Sequence, residues 1–478
     1  MAAGVEKKGR MKAHLRALFV LAISAGASSC GSDGASEKDG AAGSAATGAA
    51  GRLGAAGASG AATNGAGTAG LSHLAGAANG GGAATTDGGA AGLATGGGGL
   101  AGAGTSAAAG TSGAGTSSGG TSSAGASNAG NTSGGSAGSS SMGGGSGMCR
   151  GIASTSTRPQ LSATDAAKYT IVKYLAQSDN WDPTPGLGNA SSFTANFTVA
   201  ADGSGTHTTV QAAIDAAATG SARRYIAIKP GSYRGAVSYS GSTPITLYGL
   251  DADATKVVIV NNQSAESAGG TGKSATFTSK SNGLQLLNLT VSNDFATPAS
   301  GTNIQAVALY VMGDKTVLQN VRLHGFQDTL FTDLASESAV TRVYIKNSFI
   351  EGDTDFIFGA ATLVIDQSRI HYLSSRKAGG ACLAPSTRAS KDYGFLVINS
   401  EFSADANAAA NKVSLGRSWD QGGVTPTPNG QAVLRECVLG AHVRQSDPWA
   451  AAATSSRPFS ASGNRFFEYC NSGGGSGH

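Results

Sequence analysis

Two stretches of the chain set a carboxylate among apolar and aromatic residues. Gly325-Phe-Gln-Asp-Thr-Leu-Phe331 places Asp328 between Phe326 and Leu330, and Gly352-Asp-Thr-Asp-Phe-Ile-Phe-Gly359 places Asp355 ahead of a Phe-Ile-Phe run. A carboxylate in such company is either paired or used, because an isolated charge is costly to remove from water. Two carboxylates brought side by side are suited to proton transfer, since their environments can push the two pKa values apart. A third stretch, Leu415-Gly-Arg417-Ser-Trp419, offers a cation beside an aromatic ring. Each alone has an ordinary structural reading: buried Asp closes turns, and Arg finds a partner. Together they point to a site.

Asp328 and Asp355 are 27 residues apart, which raises the question of what repeat would align them. Short apolar runs such as Tyr225-Ile-Ala-Ile-Lys229, Ile245-Thr-Leu-Tyr248, Val257-Val-Ile-Val260, Ala306-Val-Ala-Leu-Tyr-Val311, Thr362-Leu-Val-Ile365 and Phe395-Leu-Val-Ile398 read as strands separated by polar turns. A polar residue followed by small or apolar ones recurs at Asn288, Asn320, Asn347, Gln367, Asn399 and Glu436, in steps of 32, 27, 20, 32 and 37 residues. A mostly β unit of 20-odd residues with variable insertions suits an all-β solenoid, a parallel β-helix in which like positions stack on successive coils. An antiparallel sandwich also has many short strands, but it gives no reason for the same tetrad to return at the same point of each unit. One coil of such a helix brings Asp328 and Asp355 to adjacent turns. Helices are expected at residues 162–175 and 208–218, the latter with Val210, Ile214 and Ala217 on one face.

The rest of the chain divides by composition. Of 74 Gly, 39 fall in residues 31–148, which hold no aromatic residue and six charged ones. Such a tract cannot bury a core and reads as a disordered linker, with an r.m.s. span of roughly 60 Å as a flexible coil. Residues 1–30 join a basic run ending at Arg16 to a short apolar stretch and small residues before Cys30. This resembles a bacterial lipoprotein signal in which Cys30 is acylated, with an ordinary export signal as the alternative. The expected location is therefore the outer membrane or cell surface, or else the medium after secretion. The formal charge of +4 is mostly the leader's, and the near-neutral remainder has no footprint for nucleic acid. Cys149, Cys382, Cys437 and Cys470 permit two disulfides with three connectivities, Cys149–Cys470 being the first choice; no Cys-x-x-Cys spacing suggests a metal, and no cofactor is expected.

Ordered blocks then carry a resemblance to a family. Val199-Ala-Ala-Asp-Gly-Ser-Gly205, Lys229-Pro-Gly-Ser-Tyr233, Gln305-Ala-Val-Ala-Leu309, the two Asp stretches, Leu415 to Trp419 and Phe466-Phe-Glu-Tyr469 are similar to the pectin methylesterases (pectinesterases). The resemblance implies a right-handed parallel β-helix with a short N-terminal helical cap. The organisation becomes a leader (1–30), a linker (31–148), a preface (149–192) and a catalytic domain (193–473). It further implies that Asp355 is the nucleophile and Asp328 the acid and then base, with Arg417 holding Asp355 charged and Gln305 and Gln327 serving the oxyanion. Trp419, Phe331 and Thr271 would contact substrate. The partner is methyl-esterified pectin, with membrane contact only through Cys30, and the expected state is a monomer. Three departures from the family pattern occur: Ser418 where Pro is usual, expected to loosen the Arg loop; Gly235 where Glu is common; and extra residues around 333–338.

Rival readings remain at this stage. They are a polygalacturonase or lyase on the same scaffold, another carboxyl-ester or thioester hydrolase with the same dyad, and a non-catalytic polysaccharide-binding surface protein.

Overall fold

The computed structural model of the chain describes residues 152–296, 304–421 and 425–477. The leader, the Gly-rich linker, Cys30 and Cys149 lie outside the described residues. Within them the chain winds as a parallel β-helix: a 16-stranded sheet runs from Phe197–Val199 to Arg465–Tyr469, and a seven-stranded sheet runs from Val237–Tyr239 to Ser414–Gly416. Pairing is parallel from coil to coil. This is the solenoid and not the antiparallel sandwich.

The recurring polar residue has a specific task. Asn288, Asn320, Asn347, Gln367, Asn399 and Glu436 all sit at φ between 49° and 55°, the left-handed region in which Asn is the least strained residue after Gly. Asn347, Gln367, Asn399 and Glu436 each turn the chain between two strands of one coil, and Asn288 and Asn320 occupy the corresponding point inside the long strands Gln285–Asn293 and Thr316–His324. The residue that follows stacks inside the turn: Ser348, Ser368 and Ser400 each accept a backbone N–H from the coil before, at 3.0–3.1 Å. Polar turns of the same shape therefore register every coil on the next.

The core lies inside the helix, where Leu318, Val343, Leu363, Phe395 and Ala432 are fully buried or nearly so. The outer face of the large sheet is buried too. Tyr174 and Leu175 of the preface pack there against Val317, Tyr344, Val364, Leu396 and Val433, which is why these strands read as continuous apolar runs. Residues 162–175 do not form one helix. Two short helices, Ala163–Ala166 and Ile171–Ala176, are each started by a side-chain cap, from Ser162 and Thr170. The second expected helix is found at Val210–Ala217 behind the Thr209 cap, with Val210, Ile214 and Ala217 buried.

The preface is tied to the last coil of the solenoid and to its middle. Arg158, 3% exposed, pairs with the fully buried Glu468 at 2.7 Å, and Leu161 N donates to Glu468 O at 2.8 Å, so this part of the preface pairs with the last coil. Further along, Arg342 holds Asp179 and Asp314 with its guanidinium and donates to Leu175 O at 2.8 Å. Cys470 is disulfide-bonded, but Cys382 and Cys437 are free and buried, so the two bridges that the cysteine count permits are not both made. Their side chains point into the core on separate coils, where each packs as a small apolar residue.

Candidate active site

Each of the two Asp residues occupies a tight turn just before a strand of the small sheet. Asp328 (φ 69°) precedes Leu330–Thr332, and Asp355 (φ 46°) precedes Ile357–Gly359. These strands pair in parallel, Leu330 beside Ile357, and Gln327 bridges Thr354. Asp328 N donates to Thr354 O at 3.1 Å, so the two carboxylates project from neighbouring coils at the ~4.8 Å spacing of paired strands. The 27-residue interval is one coil.

Their environments differ. Asp355, 3% exposed, accepts two hydrogen bonds from Arg417: Nε to Oδ1 at 2.9 Å and Nη2 to Oδ2 at 2.7 Å. This bidentate fork fixes the carboxylate plane. Arg417 is two coils away, not one. The strand Ala381–Pro385 intervenes, and Arg417 N donates to Leu383 O at 2.9 Å. Asp328 is fully buried, and neither carboxylate oxygen has a hydrogen-bond partner. Burial first, then the neighbouring Asp355 charge, holds its carboxyl well above the usual carboxylate range, against a smaller opposing effect of Arg417. The two carboxylates thus differ in their partners: Asp355 is held by a guanidinium and Asp328 is buried without one.

Two glutamines adjoin this pair along the backbone. Gln305, 2% exposed, and the half-buried Gln327 lie on successive coils, with Ala306 N donating to Gln327 O at 3.1 Å. Ser418 is 1% exposed; its hydroxyl donates to Asp420 Oδ1 at 2.9 Å and accepts from Gly430 N at 3.1 Å. The serine therefore ties the Arg417 loop down, contrary to the expectation that it loosens it. Gly235 takes φ 135°, which a Glu side chain adopts only with strain. The extra residues between Asp328 and Asp355 form the loop of residues 333–341, in which Glu337 pairs with Arg388 at 2.7 Å.

Aromatic rings form one wall. Tyr310, Phe331 and Phe358 stack in a column with centroids 4.2 and 4.3 Å apart, and Trp419 meets Phe331 and Phe358 edge-on at 6.0 and 5.6 Å. Trp419 is 8% and Phe331 7% exposed, so each presents an edge and not a full ring face. Thr271 opens the short helix Thr271–Ser274, whose Gly272 lies against the Tyr310 ring, placing the turn beside this column.

Other groups of the site were not singled out in the sequence. Asp353, fully buried, pairs with Arg376 at 2.7 Å, and the Arg376 guanidinium lies 4.5 Å from the Phe326 ring centroid. Asp353 was visible within the Gly-Asp-Thr-Asp run, but Arg376 sits in a loop with no local signal. Cys382 lies on the coil between Asp355 and Arg417; burial, with a contribution from Asp355, pushes its thiol well up, so it is a packing residue and not a nucleophile.

Comparison with known proteins fits this geometry. A family profile described as Pectinesterase matches residues 196–478. A pectinesterase of Ralstonia solanacearum is 46% identical over 68% of this chain and 93% of its own length. Among solved structures, Escherichia coli YbhC superposes with a TM-score of 0.61 at 32% identity, covering 67% of this chain and 96% of that one. The rice weevil pectin methyl esterase gives 0.59 at 29% identity, covering 68% and 99%. With the fold, the paired carboxylates and these matches in agreement, the chain belongs to the pectinesterase family and is a carboxylic ester hydrolase.

Proposed function

We propose that the enzyme removes methyl esters from galacturonate units of pectin through an aspartyl acyl-enzyme, and that the unequal environments of Asp355 and Asp328 carry this reading. The ionised Asp355 attacks the C6 carbonyl, and the carbonyl oxygen gains charge opposite the amide N–H donors of Gln305 and Gln327. As the tetrahedral adduct collapses, Asp328 gives its proton to the methoxy oxygen and methanol leaves, with C6 now joined to Asp355 as an anhydride. Asp328, left as a carboxylate, takes a proton from water while that water attacks C6. Asp355 departs as a carboxylate, and Asp328 is again protonated. The sum is ester plus water to acid plus methanol. Arg417 keeps Asp355 ionised and aimed, and the edges of Trp419 and Phe331, with the Thr271 turn, bound the sugar site.

The same reading makes the catalytic unit, residues 193–473 behind the preface 149–192, act as a monomer. The linker 31–148 would hold it away from a membrane to which Cys30 is acylated, at the outer membrane or cell surface, or the protein would be secreted. The test is methanol release from highly methylated pectin by the wild type beside Asp355→Ala and Asp328→Ala, with polymer length followed by viscosity. The expected result is methanol from the wild type alone, with chain length unchanged. Shortened chains, or full turnover by Asp355→Ala, would overturn the assignment.

A further inference from the structure

The face of the β-helix beside the catalytic turns carries a second constellation that ester hydrolysis does not use. Outward residues of the strands Gln285–Asn293, Thr316–His324, Phe349–Gly352 and Arg369–Tyr372 stack in rows. One row holds Thr290, Arg322, Phe349 and Arg369, and the next sets Ser292 beside His324 and Glu351 beside His371.

Arg322 is the centre of this face. Its guanidinium lies 4.1 Å from the Phe349 ring centroid, its Nε donates to His324 Nε2 at 3.2 Å, and His324 Nδ1 is bonded to Glu351 Oε1. Because Nε2 accepts, the imidazole proton sits on Nδ1 and is donated to Glu351. This carboxylate–imidazole–guanidinium chain, with the ring beneath, sets the plane of the Arg322 fork. It leaves Nη1 and Nη2 without a carboxylate partner among the described residues, whereas Arg234, Arg369 and Arg376 are all ion-paired. Two grooves, of about 280 and 460 Å³, meet at Arg322. Asn320 and Asn347 border the first; Thr290 and Phe326 border the second, which so reaches the residue next to Gln327.

We propose that this double groove binds carboxylate-bearing sugars, with a uronate carboxylate seated bidentately on the Arg322 fork and a sugar hydroxyl on the flanking Asn347 side chain. A planar monoanion matches the fork, and Asp253, Asp294 and Glu351, which line the same grooves, disfavour a dianion. The inference rests on the pectin reading, because that reaction turns each neutral ester into such a carboxylate. The stretch of polymer just de-esterified is then the ligand within reach.

The test is histidine-ring NMR on the full-length enzyme, titrated with a de-esterified galacturonate hexamer and, separately, with neutral maltohexaose. The His324 ring signals should shift saturably with the acidic oligomer and stay fixed with the neutral one. Arg322→Ala should weaken the titration about tenfold or more, and Arg322→Lys, which keeps the charge but not the fork, by less. His324 signals indifferent to the acidic oligomer, or equal titration of wild type and both variants, would overturn the proposal. Methanol release measured on the same wild-type sample separates the two readings: methanol without His324 shifts sinks the groove, and shifts without methanol sink the esterase assignment.

Discussion

Removing the Arg417 side chain tests whether the site depends on the fork that clamps Asp355. Arg417→Ala deletes two charge-assisted hydrogen bonds of 2.9 and 2.7 Å and strands a carboxylate whose side chain is 4% exposed. Breaking a fully buried ion pair by deleting one partner costs about 3–5 kcal/mol; the Arg417 side chain is 24% exposed, so the lower end, about 3 kcal/mol, applies. In a domain of this size that lowers the melting temperature by several degrees. The same loss in aiming the nucleophile lowers kcat/KM by about a hundredfold or more. The assay is a thermal melt and a methanol-release rate for wild type, Arg417→Ala, Asp355→Asn and the double variant. If the cost comes from the orphaned charge, the double variant regains most of the stability that Arg417→Ala loses, while remaining inactive. A double variant no more stable than Arg417→Ala, or an Arg417→Ala enzyme that melts like the wild type, would refute the reasoning.

Three further outcomes are expected. The Asp328 carboxyl is raised in the folded state, so its contribution to stability is complete below the unfolded value of about 4 and is lost as pH rises through the folded value. Asp328→Asn should therefore lose less stability than the wild type on raising pH while releasing no methanol; parallel losses in melts taken across that range would show that Asp328 is not the protonated partner. Arg158→Ala leaves the buried Glu468 carboxylate unpaired and should cost about 3 kcal/mol, less if residues 152–161 fray alone, which limited proteolysis would reveal. At φ 49°, Asn347→Ala should destabilise by about 1 kcal/mol and Asn347→Gly by a few tenths at most, read from denaturant midpoints.

Much of this protein was legible along the chain because a solenoid makes sequence period and spatial neighbourhood nearly the same thing. The Asn and Gln turn positions recur in order, each marks one coil, and the 27 residues from Asp328 to Asp355 translate directly into adjacent coils. What the linear order could not supply was anything depending on how many coils a long interval contains or where a loop folds back. The 62 residues separating Arg417 from Asp355 span two coils, and only the stacking shows the guanidinium reaching across the intervening strand. Ser418 looked like a weak point until its hydroxyl was seen joined to Asp420 and Gly430. The pairing of Asp353 with Arg376, of Arg158 with Glu468 and of His324 with Glu351 likewise involves side chains whose local sequence is unremarkable. Periodic backbone geometry is imposed residue by residue and so is written locally. A buried charge, in contrast, takes whatever partner the closed structure brings within hydrogen-bond distance, and that depends on every coil between them.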